Sequence, residues 1–297
     1  MTTKNTVCLA AFALLALAVS APAARATALL PAACPASATA IGKLDKPLPR
    51  LAAALAGDGP VTIVAIGSSS TAGAGASSPA AAYPARLQAA LRERYPGRDI
   101  TVVNRGVNGQ DGPEMLARFT ADVVALKPTL VLWQGGVNAL FRDDGLATAA
   151  AVLQEAIQRT RALGADMVII DPQYAPRVLA DADSGPMVTL INSVGEGEGV
   201  PVFHRFALMR DWHERGGVPF DSFLWKDKFH MNDWSYDCLS RDLARALAAN
   251  VDAQQRSADA LGAATAASAR AGKPVSAGGT LAPAQPALAN TAATIAN

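Results

Sequence analysis

Between residues 61 and 203 the chain alternates between two patterns. Short, nearly continuous apolar runs occur at 62–66, 100–104, 130–133, 167–170 and 200–203. Runs of that length, rich in Val, Ile and Leu, predict strands buried on both faces. Between them lie stretches whose apolar positions recur every three or four residues, at 83–94, 113–126, 146–163 and 187–194. A last such stretch, 234–249, carries Leu239, Leu243 and Leu247 at a spacing of four, a stripe suited to packing on a sheet. Strands alternating with helices predict an α/β domain with a parallel sheet. Its extent, 58–251, is one domain's worth of chain.

The flanks follow other patterns. Lys4 precedes an apolar run from Val7 to Val19, and Ala24-Arg25-Ala26 supplies small residues for cleavage. Residues 1–26 therefore predict a secretory signal peptide; the run is too short to span a bilayer, so no stable membrane anchor is expected. Cys34 is a poor lipoprotein cysteine, because Pro31 stands where a leucine belongs. Residues 27–57 are expected to be largely irregular. Residues 252–297 hold no Phe, Trp or Tyr and mix Ala with Ser, Thr, Gly and Pro, which predicts a disordered tail.

Composition narrows the chemistry. The formal charge of +1 becomes −1 once Lys4 and Arg25 leave with the leader, because the first 26 residues contain no acid. A near-neutral chain has no electrostatic footprint for nucleic acid. Without Cys8 two cysteines remain, Cys34 and Cys238. In an oxidising, periplasmic or extracellular compartment they are expected to pair as a disulfide.

Four segments carry the candidate chemistry: Gly67-Ser68-Ser69-Ser70-Thr71 after the first strand, Asn108-Gly109-Gln110, Gly136-Val137-Asn138, and Asp227-Lys228-Phe229-His230. Acyl transfer needs a nucleophile, a base and donors for the oxyanion. Ser69 is the candidate nucleophile, on a small-residue turn at the end of a strand. His230 is the candidate base, with Asp227 three residues earlier to orient it. His204 ends an apolar run and His213 lies among charges, so both read as structural. Gly109 and Asn138 are oxyanion candidates, one through its backbone N–H and the other through its side-chain amide, with the Ser69 N–H as a third donor.

Taken singly, these segments also fit a polar turn, an Asn-Gly turn and a loop-capping Asn. In this order they resemble the blocks of the SGNH/GDSL hydrolase superfamily over roughly residues 61–251. The resemblance implies a three-layer α/β/α sandwich of flavodoxin-like topology, a Ser-His-Asp triad and a carboxylic ester substrate, small or carbohydrate, with no cofactor. Two positions depart from the usual blocks: Ser68 replaces the Asp of Gly-Asp-Ser, and Ala139 replaces the Asp that often follows the third-block Asn. They point to a divergent branch. An exported esterase for short, acetyl-type acyl groups is the expectation, with a glycan O-acyltransferase or a non-catalytic glycan-binding module as alternatives. Other motifs are broken. Gly73-Ala74-Gly75 lacks the third glycine of a dinucleotide loop, no lysine between residues 61 and 101 can complete a phosphate loop, and no His/Cys cluster has metal spacing. Thr71 breaks the α/β-hydrolase elbow.

Overall fold

A computed structural model describes residues 33–35 and 41–270; the proposed leader and residues 271–297 lie outside them. All the secondary structure elements belong to the unit that starts at Cys34. In chain order the elements are α1 (Pro49–Ala56), β1 (Val61–Gly67), α2 (Ser69–Ala72), α3 (Tyr83–Arg94), β2 (Ile100–Gly106), α4 (Gly112–Ala117), α5 (Phe119–Asp122) and β3 (Leu130–Gln134). They continue with α6 (Gly145–Ala162), β4 (Asp166–Ile170), α7 (Pro176–Leu179), α8 (Ser184–Glu198), β5 (Val202–Phe203), α9 (Arg205–Glu214), α10 (Phe220–Phe223) and α11 (Asp233–Arg270).

The sheet is all parallel, in the order β2-β1-β3-β4-β5. Side-chain alternation along the strands sorts the core into two layers. Ile63 and Ala65 of β1, Leu130 and Leu132 of β3, and Val168 and Ile170 of β4 pack with Leu51 of α1, Leu87 of α3, Trp212 of α9 and Leu243 of α11. Val64, Ile66, Val131, Trp133, Met167 and Ile169 face the other way, onto Met115, Phe119, Leu153 and Ile191 from α4, α5, α6 and α8. Both faces of the sheet are thus covered, giving the expected three-layer α/β/α sandwich. Leu239, Leu243 and Leu247 of α11 are all buried, as their spacing predicts. No helix among the described residues is long and apolar enough to cross a membrane.

Helices α7, α9 and α10 form where none is expected, β5 is shorter than the run 200–203, and three larger departures have a clear physical reason. Residues 113–126 are not one helix: the chain breaks at Arg118 into α4, α5 and a 3₁₀ turn, Val124–Leu126, where β-branched Thr120, Val123 and Val124 weaken helical preference. The segment expected to be irregular holds α1, whose first turn is satisfied from outside, the Leu51 N–H donating to Asp166 Oδ2 at 2.9 Å. And α11 runs on to Arg270, so residues 252–270 are helical rather than disordered. Alanine is the strongest helix former, and a helix already nucleated by packing extends at little cost.

The N-terminal segment is tied to α11. Cys34 and Cys238 form the disulfide, with Cα atoms 5.4 Å apart. Asn250 Nδ2 donates to the carbonyls of Leu44 and Lys46, and its Oδ1 accepts the Leu48 N–H at 3.1 Å.

Candidate active site

In a parallel sheet of this order, the connections from β1 and β3 leave in opposite directions. The crevice outside their carboxyl ends is where such folds bind ligands. All four candidate segments converge there. Ser69 opens α2 directly after β1, Gly109 follows β2, and Asn138 follows β3. The fourth segment, Asp227 to His230, closes a tight loop in which the Trp225 N–H donates to the His230 carbonyl at 2.8 Å. Asn232 then caps α11, its Oδ1 accepting the Ser235 N–H, which fixes the loop to a long packed helix.

Three side chains form one continuous chain of contacts. His230 Nε2 lies 2.8 Å from Ser69 Oγ, and His230 Nδ1 lies 2.6 Å from Asp227 Oδ2. The other carboxylate oxygen, Oδ1, accepts the N–H groups of Phe229 and His230 at 3.0 Å each. Burial alone would raise the Asp227 pKa, but the His230 ring and these two N–H donors outweigh it and hold the carboxyl below its ordinary value. The turn also holds Lys228 in the left-handed region, at φ 55°, a conformation rare for lysine and typical of functional loops.

The turn that carries Ser69 rests on a residue that belongs to none of the four segments. Gln134, fully buried at the end of β3, accepts three hydrogen bonds on Oε1: from Ser68 N, Ser68 Oγ and Thr71 Oγ1, at 3.1, 3.2 and 3.0 Å. Thr71 Oγ1 also meets the Tyr83 hydroxyl at 3.3 Å, and burial pushes Tyr83 up to about 12, so that hydroxyl stays protonated. Gly67 has no room for a side chain: a Cβ there would sit 2.2 Å from Thr71 Oγ1 and 2.9 Å from Gln134 Oε1. Ser68 thus replaces the usual acid with a hydroxyl that fits a neutral amide. Ala139, the other departure, is buried in the apolar layer beside Trp133, where a carboxylate would be desolvated.

The donor side is held as firmly. Gly109 adopts φ 76°, and a Cβ at this position would have nothing within 4 Å of it, so glycine is required by the backbone turn rather than by crowding. Asn138 Nδ2 donates to the Gln110 carbonyl at 2.8 Å, linking the second and third segments, and its other hydrogen has no partner among the described residues. Arg118 stitches the loops together, donating to Gly67 O, Arg105 O and Gln110 Oε1 at 3.0, 2.8 and 2.5 Å. The other two histidines lie outside this arrangement: His204 is 3.7 Å from Asp171, and His213 stacks on Phe220 at 4.0 Å.

A family model, the non-GDSL lipase-like family, matches residues 32–253, three quarters of the chain. The chain belongs to that family. Its description suits a nucleophile block in which Ser68 stands in place of the GDSL aspartate. An acetylxylan esterase of Geobacillus stearothermophilus is 28% identical over 102 residues, 31% of this chain and 47% of the esterase. The chain thus spans about half the length of the curated relative it matches. Among solved structures, a two-domain esterase active on acetylated mannans superposes with a TM-score of 0.58 at 18% identity, over 70% of this chain and 55% of that one. A lipase/acylhydrolase from Enterococcus faecalis gives 0.52 at 24% identity, over 62% and 94%. Likeness at this level identifies the fold, that of the SGNH-type hydrolases.

Proposed function

We propose that this chain is an exported serine esterase that removes short, acetyl-type acyl groups from a carbohydrate. The observation that carries the reading is the unbroken contact from Asp227 through His230 to Ser69, at 2.6 and 2.8 Å. In this reading Ser69 Oγ attacks the acyl carbon as His230 Nε2 takes its proton. The resulting oxyanion is met by the N–H groups of Ser69 and Gly109 and by the unspent hydrogen of Asn138 Nδ2. Imidazolium then protonates the departing alcohol oxygen, leaving an acyl-serine. Water, deprotonated by the same nitrogen, releases the carboxylic acid and restores Ser69. Asp227 keeps Nδ1 protonated throughout, so that Nε2 is free to act as base.

Support for a sugar ester comes from the named relatives, an acetylxylan esterase and an esterase active on acetylated mannans. Support for export comes from the Cys34–Cys238 disulfide, a bond that persists in oxidising compartments.

The decisive test is active-site labelling. A fluorophosphonate is expected to modify Ser69, and Ser69→Ala to abolish both labelling and turnover of an aryl acetate, by on the order of 10³-fold or more. Labelling at Ser68 or Ser70 would move the nucleophile; no labelling of folded protein would leave a binding module. A preference for acyl chains of about ten carbons or more would overturn the short-chain assignment.

A further inference from the structure

Among the described residues five large hydrophobic side chains are exposed: Val107, Phe141, Leu179, Trp225 and Leu261. Leu261 lies far along α11. The other four belong to the loops and short helices around the catalytic crevice: Val107 just after β2, Phe141 after β3, Leu179 at the end of α7, and Trp225 two residues before Asp227. Apolar side chains left in water and gathered around one cleft mark a surface that a ligand covers.

Two of them carry a cation. The Arg177 guanidinium lies 4.6 Å from the Phe141 ring centre and 5.0 Å from that of Phe229, whose ring is in turn 4.7 Å from the His230 ring. Lys226 Nζ sits 4.6 Å from the Trp225 ring centre, and Trp225 is bonded through its backbone to His230. Neither Arg177 nor Lys226 forms an ion pair among the described residues, whereas nearby Arg142 and Lys228 pair with Glu114 and Asp221. A guanidinium held over aromatic rings with no acidic partner among the described residues keeps its N–H donors for an anion, and a carboxylate can take two of them at once.

We propose that this rim is a binding site for an acidic O-acylated oligosaccharide: Phe141 and Trp225 receive sugar faces, and Arg177 and Lys226 take the carboxylates of uronic residues next to the scissile ester. The proposal rests on the esterase reading and names its substrate class. The aromatic rings supply contact area at low cost in conformational freedom, and the cations discriminate against neutral chains.

Three substrates separate the outcomes: an aryl acetate, an O-acetylated oligouronate, and an O-acetylated xylo-oligosaccharide of equal length. The protein is expected to prefer the oligouronate in kcat/KM by about tenfold or more, a preference that shrinks as salt is raised. Arg177→Ala and Lys226→Ala should each raise KM for the oligouronate about tenfold while leaving its kcat within about threefold, and Arg177→Lys should recover part of the loss. Phe141→Ala and Trp225→Ala should raise KM for both oligosaccharides. Equal KM for the acidic and neutral chains would overturn the proposal. So would an Arg177→Ala variant that loses kcat equally on all three esters, since Arg177 would then act only by holding Phe229 against His230. Calorimetric binding of unacetylated oligouronate to Ser69→Ala protein tests the rim without turnover. Binding there with no aryl acetate turnover by the parent protein would refute the esterase reading alone; turnover without binding would refute the rim alone.

Discussion

The candidate catalytic side chains are held by residues outside the four segments. Asn138 has one amide hydrogen fixed on Gln110 O and one without a partner among the described residues. Asn138→Ala should therefore cost roughly 3 kcal/mol of transition-state stabilisation, read as a fall in kcat with KM nearly constant. A raised KM at normal kcat would place Asn138 in ground-state binding instead. Gln134 acts one step back, through the turn that presents Ser69. Gln134→Leu leaves the Ser68 N–H, the Ser68 hydroxyl and the Thr71 hydroxyl without their acceptor in a buried site, a loss of about 2–4 kcal/mol in unfolding free energy. Denaturant melts check the stability, and the fluorophosphonate labelling rate should fall alongside it. Unchanged stability would mean that the turn finds other acceptors. Neither Gln134 nor Arg118 is legible in the sequence: Gln134 acts on a turn 63 to 66 residues away, and Arg118, though close in sequence to Gln110 and Arg105, belongs to no motif and reaches Gly67 only in the fold.

At the scale of elements, the strands and the helix 83–94 can be read from periodicity alone, since the central strands are buried on both faces and their apolar runs are nearly continuous. Edge strand β2 exposes Thr101 and Asn104, and β5 shortens to Val202–Phe203 after Pro201. Helix α1 is hidden by the Ala/Pro-rich stretch before it, although Pro49 at its first position and Leu51 and Leu55 at a spacing of four are helix signals; its first turn is then satisfied by Asp166 from a distant strand. The end of α11 departs from expectation for a different reason: lack of aromatic burial argues for disorder, while alanine content argues for helix. From Arg256 to Ala267 every residue of α11 is exposed. Truncation after Gln255 should thus leave the melting temperature within about 1–2 °C and the aryl esterase rate unaltered, because little apolar surface is lost. A large drop in scanning calorimetry would mean that the distal helix is covered in solution.

For the whole molecule, the Cys34–Cys238 bond closes a loop with a sequence separation of 204 residues, between the first described residues and the last helix. The chain-entropy model allows up to about 5 kcal/mol for a loop of this size. Reduction, or the Cys34→Ser/Cys238→Ser pair, should lower thermal stability markedly, by several degrees or more in a reducing versus non-reducing melt. Asn250 and the buried Leu44, Leu48 and Leu51 should still hold the N-terminal segment. A melting temperature indifferent to reductant would show that packing alone sets the stability.

The features readable from the chain alone are local: which runs are strands, which turn carries a serine, which carboxylate sits within reach of His230 three residues later. They follow from side-chain periodicity and from short spacings that any conformation of the segment must respect. How the segments meet is a property of the folded molecule. The strand order 2-1-3-4-5 opens a crevice between β1 and β3, the Asn232 cap fixes the His230 loop to α11, and Gln134 and Arg118 bind loops that lie far apart in the chain. The same holds for the aromatic and cationic rim, whose members come from three separate loops. Its residues look ordinary in sequence because stacking and the absence of an ion pair are properties of neighbours that only folding supplies.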